Sequence, residues 1–152
     1  MASTREVLDE WFNRVRVTQL AHYGSADHFG KRKYALGVPA VILSGIVGTT
    51  VFANLQNEPN INIQILVGFA SVSAALLTSL QTFLGYSERA EKHRIAGAKY
   101  GALGRELELV RSFDSIDKSV IEDIKKRLDD LAQESPNNPK RIYYKAGAGE
   151  LE

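Results

Sequence analysis

The chain has 152 residues, no cysteine and a formal net charge of +1, which excludes a disulfide framework, a thiolate metal site and a thiol nucleophile, and argues against nucleic acid as a general partner. A mean hydropathy of −0.18 with 24% charged residues reads as soluble, but the average hides a partition. All 19 Lys and Arg and all 18 Asp and Glu lie outside two uncharged stretches, Tyr34 to Asn57 and Pro59 to Ser87, which only Glu58 separates.

In chain order, residues 3–24 read as an amphipathic cytoplasmic helix. Ser3 with Glu6 fits a capping box, and Leu8, Trp11, Phe12 and Val15 fall at i, i+3, i+4 and i+7. The apolar stripe can pack on other cytoplasmic helices of the chain or lie in the membrane interface, where Trp and Phe beside Arg14 and Arg16 suit a surface helix. Two glycines between Tyr23 and Gly30 predict a break. Met1 to Gly30 carries Glu6, Asp9, Glu10 and Asp27 and lacks a continuous apolar core, so it does not read as a cleavable signal peptide.

The two uncharged stretches are 24 and 29 residues long, and ~20 apolar residues at ~1.5 Å rise cross the ~30 Å hydrocarbon layer. A buried helix of a soluble protein rarely runs so far without a charge, because its ends and edges meet water. The expectation is an all-α membrane protein built on a two-helix transmembrane hairpin, with helices over 34–56 and 61–86 and a turn over 54–62. Pro39, preceded by Gly37, either starts the first span or kinks it. Lys31, Arg32 and Lys33 precede the first span and Arg89, Lys92 and Arg94 follow the second, whereas the connection holds no Lys or Arg; basic residues run six before, none between and thirteen after. By the positive-inside rule both termini are cytoplasmic.

On the second span Gln64, Gly68, Ser71, Ala75, Thr78, Thr82 and Gly85 recur at alternating spacings of four and three, so one stripe is small or polar throughout. The first span offers Gly37, Ser44 and Gly48. Small residues let helices approach closely and hydroxyls bond across the contact, so the stripe is either a packing seam, within the hairpin or between copies in a homo-oligomer, or the lining of an aqueous path once copies assemble. Neither span holds an Asp, Glu, Lys, Arg or His, so the marks of ion-coupled transport are missing.

Beyond the membrane the second span is expected to continue as one long helix over 87–113, with Ala96, Tyr100, Leu103, Leu107 and Val110 as a heptad-like seam. Another helix follows over 117–133, with Val120, Ile121, Ile124, Leu128 and Leu131 as its stripe. Gly97, Gly101 and Gly104 share a face, which predicts close contact with a bulky residue such as Trp11 or Phe12, or a hinge. Residues 134–152 read as a flexible, polar, proline-containing tail behind a single domain over 1–133. His22, His28 and His93 form no metal or catalytic constellation, with His93 reading as a solvated or interface histidine. No phosphate loop or other enzyme signature is present, so no catalytic residue, metal or cofactor is expected.

Leu80-Gln81-Thr82-Phe83-Leu84, then Glu88-Arg89-Ala90, His93, Ala96, Tyr100 and Leu103, with Leu36-Gly37-Val38-Pro39 and Ser44 at the entry of the first span, resemble the SLATT family. That is the two-transmembrane effector domain associated with SMODS nucleotidyltransferases and SLOG sensors, and the resemblance runs over roughly residues 5 to 133. It implies a prokaryotic conflict-system effector, multi-pass in the inner membrane, that breaches it as a homo-oligomer on a nucleotide signal or other cue. It also implies a separately encoded signalling enzyme or sensor as partner. The alternative is a membrane adaptor that recruits a partner through its cytoplasmic helices and never conducts.

Overall fold

Helix initiation is written into the first residues. Ser3 Oγ accepts from Glu6 N at 3.2 Å while Glu6 Oε2 accepts from Ser3 N at 2.7 Å, the reciprocal capping that satisfies two otherwise orphaned donors. The computed structural model describes residues 3–54 and 60–147; much of the predicted 54–62 turn lies outside them. The described residues form α1 (Thr4–Asn54), α2 (Ile61–Leu84), α3 (Tyr86–Arg111), α4 (Lys118–Glu134) and α5 (Lys140–Lys145), with no strand among them. Two compact units result: a hairpin, Phe29–Glu88, and a bundle formed by the residues before and after it.

Two expectations change and one open alternative is resolved. The break over 23–30 is absent, because α1 passes through it without interruption. Each helical glycine costs about 1 kcal/mol relative to alanine, but Gly24 is needed for packing: a Cβ there would stand 3.0 Å from Ile142 Cγ2. Pro39 lies inside α1, so it does not start the span. Conversely, the continuous helix expected across the membrane exit is interrupted. Gly85 adopts the left-handed conformation (φ 58°, ψ 30°) and closes α2 before α3 begins, a geometry that a Cβ disfavours.

The bundle has a core of Leu8, Val15, Tyr100, Leu103, Leu107, Val110, Ile124 and Leu131, edged by Trp11, Phe12, Ile116 and Leu128. Asp117 caps α4, its carboxylate accepting from Ser119 N at 3.1 Å. Arg127–Glu106 at 2.6 Å and Lys99–Glu134 at 2.9 Å tie α4 to α3 across the surface. Residues expected to be a flexible tail carry α5 and contact α1: Ser25, fully buried, lies 2.9 Å from Asn138 Oδ1.

The α3 glycines are buried against α1, though not against the residues expected. A Cβ on Gly97 would meet the Tyr23 ring at 3.1 Å, on Gly101 the Gln19 amide at 2.6 Å, and on Gly104 Val15 at 3.4 Å. Phe12 instead sits under the Arg111 guanidinium, 4.6 Å from its ring centroid. A larger side chain there would have to push the Tyr23 ring off α3. Gly97→Leu should therefore destabilise the bundle by about 1–3 kcal/mol, the usual cost of overpacking, read as a lowered thermal midpoint of the full chain in detergent.

Candidate functional site

Within the hairpin, the seam is set by which residues lose solvent. On α2 these are Val67, Ala70, Ser71, Ala74, Leu77, Gln81 and Leu84; on α1 the most buried is Ala40. Close approach occurs where Gly37 faces Gln81: a Cβ there would stand 3.1 Å from Gln81 Oε1. Of the predicted stripe, Ser71 lies on the seam and Thr78 borders two openings along it, one with Ser44 and Gln81, the other with Gly48, Ser71 and Ala75. Gln64, Gly68, Ala75 and Thr82 are exposed, and Gly85 is the left-handed terminus. Gln81 is thus a seam residue that the stripe pattern missed. The four-three spacing identifies a face but not which flank of it meets the neighbouring helix.

Among the described residues the hydroxyls do not bond across the seam. Ser44, Thr50, Ser71, Thr78 and Thr82 each donate to the carbonyl four residues back, at 2.8 to 3.1 Å, so each is satisfied by its own helix. Outward faces are apolar: Phe83 is 87% exposed, Phe52 75% and Phe69 72%. In each of the two long apolar helices only 6% of the most apolar 18-residue window is buried. A soluble core helix would be covered, so these surfaces are suited to lipid. At the basic flank Arg32 donates to the Tyr86 hydroxyl at 3.3 Å, and Lys33 Nζ lies 5.7 Å from the Tyr34 ring centroid. Lys31, Arg89 and Lys92 are exposed, and Arg94 pairs with Glu91 at 2.6 Å.

In the bundle, two histidines that are 71 residues apart meet: His22 Nδ1 and His93 Nδ1 are 2.9 Å apart, with the rings 1% and 3% exposed. The reading of His93 as a solvated or interface residue is therefore corrected. A bond between two Nδ1 atoms requires one ring protonated at Nδ1 and the other bare there. Tyr100 stacks on His22 with centroids 5.4 Å apart. Burial, and secondarily the His93 charge, lowers the His22 pKa to about 4; burial lowers that of His93 too and raises that of Tyr100. The signal lay in the heptad register, since Leu8, Val15 and His22 are seven apart, as are His93, Tyr100 and Leu107.

A family model described as SMODS and SLOG-associating 2TM effector domain family 4 matches residues 5–147. The chain belongs to the SLATT family. The match extends past residue 133, where the domain was expected to end, and takes in α5. No curated protein and no solved structure matches the chain. SLATT describes a two-transmembrane effector domain of conflict systems and is not a known enzyme family. Among the described residues no cluster of three potential metal ligands occurs.

The buried pair gives the SLATT bundle a pH dependence. Because the folded state holds both imidazoles neutral below their ordinary value, stability is full above about pH 6.5 and declines as pH falls toward about 4, at up to about 1.4 kcal/mol per pH unit for His22. The thermal midpoint of the full chain in detergent should drop between pH 7.5 and 5. Replacing both rings, His22→Leu with His93→Leu, should flatten that drop; an unchanged slope would locate the dependence elsewhere.

Proposed function

We propose that the protein is an oligomeric effector of a prokaryotic anti-phage system. It sits in the inner membrane with both termini cytoplasmic, and opens that membrane when a cue from a separately encoded nucleotide-signalling enzyme or sensor reaches the bundle. The observation that carries this reading is the exposure of Gln64, Gly68, Ala75 and Thr82 along one side of α2. A single hairpin leaves this small and polar flank unpaired, and two helices cannot enclose a path. Packing between copies covers the flank, and a ring of hairpins can turn it toward water. Charge counts on either side of the spans support the orientation, and SLATT membership supports the effector role.

The second reading is a non-conducting adaptor. It is favoured by the back-bonded hydroxyls of Ser71, Thr78 and Thr82, since a stripe satisfied by its own backbone is compatible with lipid and needs no water. Dye release from liposomes, with cells expressing the same variants scored for toxicity, separates the two. In a triggered, leaking membrane Thr78→Leu and Ser71→Leu should abolish release while insertion persists, because leucine is favoured in the bilayer. Thr78→Cys should react with a water-soluble thiol reagent, in a chain that has no other cysteine. Release that survives both leucine variants, with Thr78→Cys unreactive, would leave the stripe a packing seam.

A further inference from the structure

The larger opening on the hairpin is an apolar groove of 580 Å³ with a cation at one end. It follows α1 from Lys33 through Val38 and Ile42 to Ser44, with Gln81 contributed by α2. The eleven residue-to-residue steps from Lys33 to Ser44 cover about 16 Å at ~1.5 Å per residue, the depth of one leaflet of a ~30 Å hydrocarbon layer. Lys33 is half-buried at the mouth, with its ammonium against the Tyr34 ring and, among the described residues, no carboxylate partner. Its neighbour Arg32 is held by Tyr86.

We propose that this groove binds one anionic phospholipid of the leaflet on the basic side, an acyl chain lying along Val38 and Ile42 and the headgroup phosphate on Lys33. The Gln81 amide, placed against Gly37 one turn deeper than Lys33, stands at the level of the glycerol ester carbonyls. The site rests on the transmembrane reading of the hairpin. Charge decides against a second copy as occupant. Every copy inserted in the same orientation carries Lys31, Arg32 and Lys33 at the same depth, so a neighbour brings cations to a cationic mouth. A zwitterionic headgroup is also inferior, because its own ammonium competes with Lys33 for the phosphate.

The test uses the full chain in neutral detergent, offered equal amounts of phosphatidylglycerol and phosphatidylcholine with identical acyl chains, with retained lipid counted by native mass spectrometry. Phosphatidylglycerol should be retained preferentially. Lys33→Gln should cut that preference about fivefold, the effect of one cation at a membrane surface. Lys31→Gln removes the same charge outside the groove and should leave the preference intact, while Val38→Trp should displace the lipid by filling the groove. Equal retention of both lipids, or equal damage from the two lysine variants, overturns the site. So does efficient cross-linking of Val38→Cys copies to one another in the absence of lipid, which would put a second copy in the groove. Flotation with phosphatidylcholine liposomes reports insertion separately: a chain that fails to float refutes the hairpin reading, and one that floats without lipid preference refutes this site alone.

Discussion

Hydrocarbon accepts neither a free backbone donor nor an unpaired charge, and the layout of this chain follows from that constraint. Helix is the structure that satisfies every backbone group within one segment, and the described residues of the uncharged stretches are helical apart from Asn60 and the left-handed Gly85. The same constraint reaches the side chains: hydroxyls in the hairpin fold back onto their own carbonyls, and phenylalanines turn outward. What the layer excludes collects at its edge. Lys31, Arg32 and Lys33 stand where the first uncharged stretch begins, and two of them meet tyrosines: Arg32 bonds the hydroxyl of Tyr86 and Lys33 lies on the ring of Tyr34.

The bundle obeys the opposite solvent. In water, α3 must bury its stripe, and it does so by thinning itself: the glycines at 97, 101 and 104 let the side chains of Tyr23, Gln19 and Val15 on α1 approach its backbone. A histidine pair in such a core is tolerable only while it is neutral and hydrogen-bonded, because an imidazolium there would lose its hydration. One added proton would have to go to the free Nε2 of the ring already protonated at Nδ1, making that ring an unhydrated imidazolium. A second would put like charges 2.9 Å apart. The pair should therefore make the bundle responsive to proton activity.

Much of this was legible in one dimension. Charge partition is a property of the sequence itself, so the two spans and their flanks could be read directly. The Ser3–Glu6 cap and the buried positions Ala96, Tyr100, Leu103, Leu107 and Val110 were likewise accessible from spacing. What escaped depends on partners far along the chain. Gly24 reads as a helix breaker until Ile142 is seen beside it, and His22 is unremarkable until His93 arrives 71 residues later. Gly85 fitted the small-residue stripe by spacing, yet its role is the left-handed turn that ends α2. Gln81 was passed over because it falls one position before the stripe residue Thr82, while packing against Gly37 rotates the true seam onto it.

The central claim is that the two apolar helices cross a membrane and return, leaving both ends on one side. Single-cysteine variants Asn13→Cys, Asn57→Cys and Asp130→Cys, treated in intact cells with a thiol reagent that cannot cross the inner membrane, test it most directly because the native chain contains no cysteine. The account predicts labelling at position 57 alone, with positions 13 and 130 reacting only after the membrane is opened. Labelling of position 130 from outside, with position 13 protected, would contradict the hairpin.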